Sequence, residues 1–106
     1  MKLEKTERLN ELFNYYKKLL TDKQVEYFMM YYYDDYSLAE IAKIAKVSRS
    51  AVYDQLKKVE DKLIEYEKKL RLKEKSKMRL SYLNNYLEEK DEKYIQKVID
   101  MDVEDE

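Results

Sequence analysis

From residue 6 to residue 20 the apolar positions Leu9, Leu12, Phe13, Tyr16, Leu19 and Leu20 recur at i, i+3, i+4, i+7, i+10 and i+11. That spacing places them on one face of an α-helix. Thr21-x-x-Gln24 follows with the form of a capping box, in which a hydroxyl and an amide satisfy the first free backbone N–H groups of a helix. It predicts a second helix over 22–33, with Val25, Phe28, Met29 and Tyr32 turned inward. Asp34-Asp-Tyr36 is the connection. Ser37-x-x-Glu40 repeats the box and opens a third helix whose core candidates are Leu38, Ile41, Ala42 and Ala45. Ser48 reads as the N-cap of a fourth helix. Two capped helices across a tight connection, residues 37–58, make a helix-turn-helix, a device that lays its second helix in the major groove of DNA.

The fourth helix runs beyond the motif. Val52, Leu56, Val59, Leu63, Tyr66 and Leu70 are spaced four, three, four, three and four apart, a heptad seam. Such a seam packs on helix one or two, or pairs with a second copy of the chain. For its C-terminal half both remain open. Residues 71–79, rich in Lys and Arg, read as a helix end or hinge. Leu80, Leu83 and Leu87, then Tyr94, Ile95, Val98 and Ile99, predict one or two further amphipathic helices. The expected organisation is therefore a helix-turn-helix domain over 1–70, a helical extension over 71–99, and an acidic, disordered tail over 100–106.

Composition supports an all-α helical bundle. The 106 residues include no Gly and no Pro, and hairpin turns usually need residues at positive φ. There is also no Cys and no His, which excludes thiol chemistry, disulfides and zinc-finger ligation; no Ca²⁺ loop pattern is present either. We expect no cofactor, no metal and no enzymatic activity. The longest apolar run, Tyr27–Tyr33, is far too short to span a bilayer, and no signal peptide is evident, so a cytoplasmic protein without membrane insertion is expected.

The net charge of −1 conceals an asymmetry. Residues 37–80 carry thirteen Lys/Arg against seven Asp/Glu, whereas residues 81–106 carry three against nine. A basic block over the helix-turn-helix is the footprint expected of phosphate binding. On helix four, Val52, Leu56 and Val59 define the buried face, leaving Arg49, Ser50, Tyr53, Asp54 and Lys57 opposite. The candidate nucleic-acid-binding residues are Lys43, Lys46, Arg49, Ser50, Tyr53, Lys57 and Lys58: Arg49 for a guanine edge or phosphate, Ser50 and Tyr53 for backbone oxygens or thymine methyls, the lysines for phosphates. Asp54 fits this poorly unless it meets a cytosine amino group or pairs with Lys57 or Lys58. The cluster Tyr27, Tyr31, Tyr32, Tyr33 and Tyr36 is read as core and half-buried surface. Lys46 occupies the turn position where many such motifs carry Gly, at a cost of about 1 kcal/mol if its φ is positive.

Leu20-Thr-Asp-Lys-Gln24, Tyr31-Tyr-Tyr-Asp-Asp-Tyr-Ser37, Glu40-Ile-Ala42 and Val47-Ser-Arg-Ser-Ala-Val-Tyr-Asp54 resemble the YlxM family of small bacterial helix-turn-helix proteins, over about residues 5–70. Thr21, Ser37, Glu40, Ile41, Ala42, Ser48, Arg49 and Val52 are also similar to region 4 of sigma factors, which reads promoter DNA. The resemblance implies a regulatory or accessory role in the signal recognition particle (SRP) pathway, since YlxM-family genes commonly sit beside genes for the particle and its receptor. Partners implied are nucleic acid (DNA or the SRP RNA), the SRP GTPase or its receptor, and a homodimer through helix four and the C-terminal helices. The alternative is a sequence-specific transcriptional regulator unrelated to protein targeting.

Overall fold

The computed structural model describes residues 2–104. They form α1 (Lys2–Tyr16), α2 (Asp22–Phe28), α3 (Leu38–Ala45), α4 (Arg49–Leu70), α5 (Leu72–Glu89) and α6 (Lys93–Glu104). No strand occurs among the described residues, and the fold is all-α. They divide into two compact units after Leu70.

The first unit is held by two apolar clusters. Leu9, Leu12, Phe13, Tyr16, Leu20 and Phe28 enclose Val59 and Leu63 in one, with the Phe13 and Phe28 rings stacked at a centroid distance of 4.2 Å. Tyr27, Ile41, Ala42, Val52 and Leu56 make the other. α2 lies between them, so Phe28 and Tyr27 are buried on different sides. That is why Tyr27 is buried although its spacing does not match the single inward face expected for this helix. Met29, placed inward by the same spacing, is 38% exposed. It begins a π-helical turn, Met29–Tyr33, within which Tyr32 still packs against the first cluster. Leu19 is likewise exposed. Residues Lys17–Leu19 tighten into a 3₁₀ turn, which rotates Leu19 off the face that its i+10 position predicts.

Both capping boxes form. Thr21 Oγ1 accepts the Gln24 N–H at 3.1 Å and Gln24 Oε1 accepts the Thr21 N–H at 3.0 Å. This explains a buried glutamine: its amide is used in place.

The α4 seam is used inside the chain. Val52, Leu56, Val59 and Leu63 are buried: the first two under Tyr27, Ile41 and Ala42 of α2 and α3, the last two, with Tyr66 packed beside them, under the apolar face of α1. Of the two arrangements left open for the seam, packing within the chain is the one observed as far as Tyr66, while Leu70 stays 42% exposed. Polar side chains fix the same packing: the Tyr16 hydroxyl donates to Glu67, the Tyr32 hydroxyl donates to Glu60 Oε2 at 2.9 Å, and Lys5 Nζ lies 3.1 Å from Glu60 Oε1.

In the second unit, residues 72–79 continue as helix, so the expected hinge shrinks to Arg71 in the left-handed region at φ 56°. α5 and α6 form a hairpin across Lys90–Glu92. Lys90, also left-handed, donates its N–H to the Tyr86 carbonyl at 2.7 Å, and the Asp91 carboxylate accepts the Lys93 N–H at 2.9 Å. The Tyr94 hydroxyl returns to Glu89 at 2.6 Å. α6 extends to Glu104, beyond the point where a disordered tail was expected. Met101 completes the stripe begun by Tyr94 and Val98 and is 7% exposed, which draws residues 100–104 into the helix. Asp105 and Glu106 lie outside the described residues.

Candidate nucleic-acid interface

The turn between α3 and α4 positions the candidate face. Ser37 Oγ accepts the Glu40 N–H at 3.1 Å while Glu40 Oε1 accepts the Ser37 N–H at 3.0 Å. That N–H, first, and the Ser37 hydroxyl hold the Glu40 carboxyl below its ordinary value. At the other end of α3, Lys46 adopts φ 58°, ψ 45°. The Val47 N–H then reaches back to the Ala42 carbonyl at 3.0 Å, a six-to-one bond of the Schellman kind. Val47 meanwhile packs on the second cluster. The chain therefore makes its turn with lysine where glycine is usual, and closes it with the hydrogen bond and hydrophobic contact that normally accompany glycine. Ser48 caps α4, its Oγ accepting the Ala51 N–H at 3.1 Å.

All seven candidate residues are exposed: Lys43, Lys46, Arg49, Ser50, Tyr53, Lys57 and Lys58. They do not share one face. At about 100° per residue, Arg49, Ser50, Tyr53 and Lys57 lie on one flank of α4, with Asp54 at its border. Lys58 lies about 140° around the helix from Tyr53 and is separated from that group. Arg49, Ser50, Tyr53 and Asp54 line a shallow depression against Leu38 of α3. Lys57 pairs with Asp61 at 3.6 Å, not with Asp54 as the sequence had suggested. Asp54 makes no ion pair among the described residues.

Beside this face is a recess of about 360 Å³ that spacing alone did not reveal. Lys5, Tyr31, Tyr32, Tyr53, Lys57 and Glu60 contribute to its walls. It brings together α1, the π-helical turn and α4, which are too far apart in sequence for a periodicity argument to join. The only hint was the density of tyrosine. Those tyrosines divide: Tyr27 is core, Tyr32 is half-buried, and Tyr31, Tyr33 and Tyr36 are exposed at their edges. Burial, then the hydrogen bond to Glu60 and that carboxylate's charge, push the Tyr32 hydroxyl well above its usual range.

Among the described residues no cluster of His, Cys, Asp or Glu could hold a metal ion, and no helix is long and apolar enough to cross a membrane. Two capped helices, a tight left-handed turn and a solvent-facing second helix define a helix-turn-helix protein. Residues 3–103 match the UPF0122 family, described as "Putative helix-turn-helix protein, YlxM / p13 like", and the chain belongs to that family. A UPF0122 protein of Streptococcus thermophilus (strain ATCC BAA-491 / LMD-9) is 47% identical over 100 residues, covering 93% of this chain and 91% of the relative. One from Geobacillus sp. (strain WCH70) is 54% identical over 82 residues, 77% of this chain and 74% of the relative. For Lactococcus lactis subsp. cremoris (strain MG1363) the identity is 57% over 72 residues, 68% of this chain, and the match spans 65% of the relative's length.

Proposed function

We propose that the first unit binds duplex DNA, with the start of α4 in the major groove, and that the protein acts as a regulatory helix-turn-helix protein. The observation that carries this reading is the exposed flank of Arg49, Ser50, Tyr53 and Lys57 directly after a capped, solvent-facing helix start. No acidic residue lies in the first turn of α4, so the partial positive charge of the helix end is available to a phosphate. Lys43 and Lys46, on the preceding helix and turn, supply flanking cations for the backbone, and Arg49 supplies the fork that pairs with a guanine edge. Lys58 contributes only to the general field.

A second reading is favoured by Asp54. An unpaired carboxylate beside the groove-facing flank repels phosphate unless a cytosine amino group meets it. A folded RNA or a protein surface can offer such donors more freely than a continuous duplex. In that reading the unit is an accessory factor of the SRP pathway, contacting the particle's RNA, its GTPase or the receptor, as the resemblance to YlxM proteins implies. The test is a salt-dependent titration of the purified chain against random-library duplex DNA and against the SRP RNA. Recovery of a DNA motif with affinity falling steeply in salt supports the first reading. Preference for the RNA, or no binding to either ligand, overturns it in favour of the second.

A further inference from the structure

The recess beside α4 lies wholly within the first unit, and the helix-turn-helix motif does not require it. Its volume of about 360 Å³ is that of a small-molecule site, which combines apolar walls with a few convergent polar groups. α4 contributes Tyr53, Leu56, Lys57 and Glu60 at i, i+3, i+4 and i+7, one helical face about 10 Å long. Leu38 of α3 adds to the apolar wall, and α1 brings Lys5. Tyr31 and Tyr32 come from the π-helical turn, a rare winding that recurs at functional sites.

Aromatic surface is the first thing these walls offer. The Tyr53 ring is 57% exposed and meets no other ring among the described residues. Tyr31, 37% exposed, stands edge to face with Tyr32 at a centroid distance of 5.0 Å. Tyr32 is itself held by its hydroxyl bond to Glu60, so the platform is rigid.

Charge is the second. Glu60 is the one acidic wall residue, and Lys5 answers it at 3.1 Å. Lys57 is then the surplus cation. Its partner Asp61, 3.6 Å away, is an exposed residue of the same helix outside the recess, a contact weak enough for a phosphate to displace. An inorganic phosphate would leave the rings in water, and a neutral aromatic would leave Lys57 unused. A planar base carrying a phosphate uses both.

We propose that this recess binds one nucleotide, its base stacked on Tyr53 and Tyr31 with the N–H edge toward Glu60, and its phosphate at Lys57. Two sources share that chemistry: a free mononucleotide, and an unpaired nucleotide of a strand passing along α4, because Tyr53 and Leu38 also line the depression that holds Arg49 and Ser50. A base inside an intact duplex has no free face to offer. The site stands apart from groove docking, since Tyr31 is off the α4 flank and Arg49 is outside the recess.

Calorimetric titration of the full chain with 5′-AMP, with adenosine and with a single-stranded decanucleotide tests it. 5′-AMP binds with a dissociation constant below about 1 mM, or about −4 kcal/mol, and more weakly as salt rises; adenosine binds less tightly and without that salt dependence. Tyr53→Ala and Tyr31→Ala each weaken 5′-AMP by roughly tenfold, as loss of a stacking platform does, with circular dichroism and Tm reporting that the fold is kept. Tyr53→Phe and Tyr31→Phe retain binding. Lys57→Ala brings 5′-AMP down to the level of adenosine. A decanucleotide that binds at least tenfold more tightly than 5′-AMP and is displaced by it assigns the site to a strand; one that does not compete assigns it to the free nucleotide. Arg49→Ala leaves 5′-AMP binding unchanged and Tyr31→Ala leaves duplex binding unchanged, so the recess and the groove reading fail separately. Absence of binding by both 5′-AMP and the decanucleotide, as expected if a protein side chain fills the recess, overturns the proposal. Binding indifferent to both tyrosine-to-alanine changes overturns it too.

Discussion

Leu63 lies in the heptad seam of α4, and its replacement decides whether that seam belongs to one chain or two. Its side chain is 0% exposed among Leu9, Leu12, Phe13, Tyr16 and Val59. The stacked Phe13–Phe28 pair nearby leaves the wall little freedom to collapse into a void. Leu63→Ala should therefore fall in the upper part of the range for buried leucines, about 4 kcal/mol. A unit of this length holds roughly 4–10 kcal/mol in total, so the loss is a third or more of its stability. For domains of 60–100 residues each kcal/mol lowers Tm by about 4–8 °C, giving a fall of about 16–32 °C by circular dichroism. Leu70, in the same seam but 42% exposed, is the control: Leu70→Ala should change stability by no more than about 0.5 kcal/mol. Equal, small effects at both positions, accompanied by a change in oligomeric state, would refute the placement of Leu63 in a core shared with α1.

Lys46→Gly should raise stability relative to Lys46→Ala by about 1 kcal/mol in urea denaturation, since only glycine relieves the φ of 58° at little steric cost; a more stable alanine variant would contradict the strain. Arg49→Ala should lose roughly 1–3 kcal/mol of discrimination at one base pair of a selected DNA site, measured by competition binding. Lys57→Ala should weaken all duplexes alike and reduce the salt slope by about one unit. Preference unchanged by the first substitution and slope unchanged by the second would remove α4 from the groove.

The helix-turn-helix was legible because its signals are local. Thr21/Gln24, Ser37/Glu40 and Ser48 announce helix starts within four residues, and Ile41, Ala42, Val52 and Leu56 follow the period of the helices that bury them. What escaped depends on contacts distant in sequence. Tyr27 is buried because α3 and α4 close over the far side of α2, which no spacing within α2 records. The recess beside α4 joins Lys5 to Glu60. The fate of the seam was undetermined because a heptad pattern says that a helix has a partner without saying which chain supplies it. The leucines of α5 were visible as a pattern too. Their lack of a cover emerges only once α6 is seen to pack through Tyr94, Val98 and Met101 and to leave them in solvent.

Glu60, Glu67, Arg49 and Tyr53 lie within about 40° of one another around α4, so one flank of this helix has two uses. Its first turns present Arg49 and Tyr53 to solvent, and its later turns receive the hydroxyls of Tyr32 and Tyr16. The tyrosine–glutamate bonds thus help set the rotation at which the face proposed to bind nucleic acid is displayed. A hydrogen bond to a charged acceptor contributes about 1.5–3 kcal/mol, so Tyr32→Phe should destabilise the chain by that order at neutral pH. The pH dependence separates this bond from simple packing. Because the folded protein holds the Tyr32 hydroxyl above its ordinary 10.0, the contribution is fully present below pH 10. It is lost as pH rises further, where the unfolded chain ionises first. The stability gap between wild type and Tyr32→Phe should be flat from pH 7 to 9 and narrow above pH 10. A gap that stays constant through that range would mean that Tyr32 acts through its ring alone, and that Glu60 does not set the angle of α4.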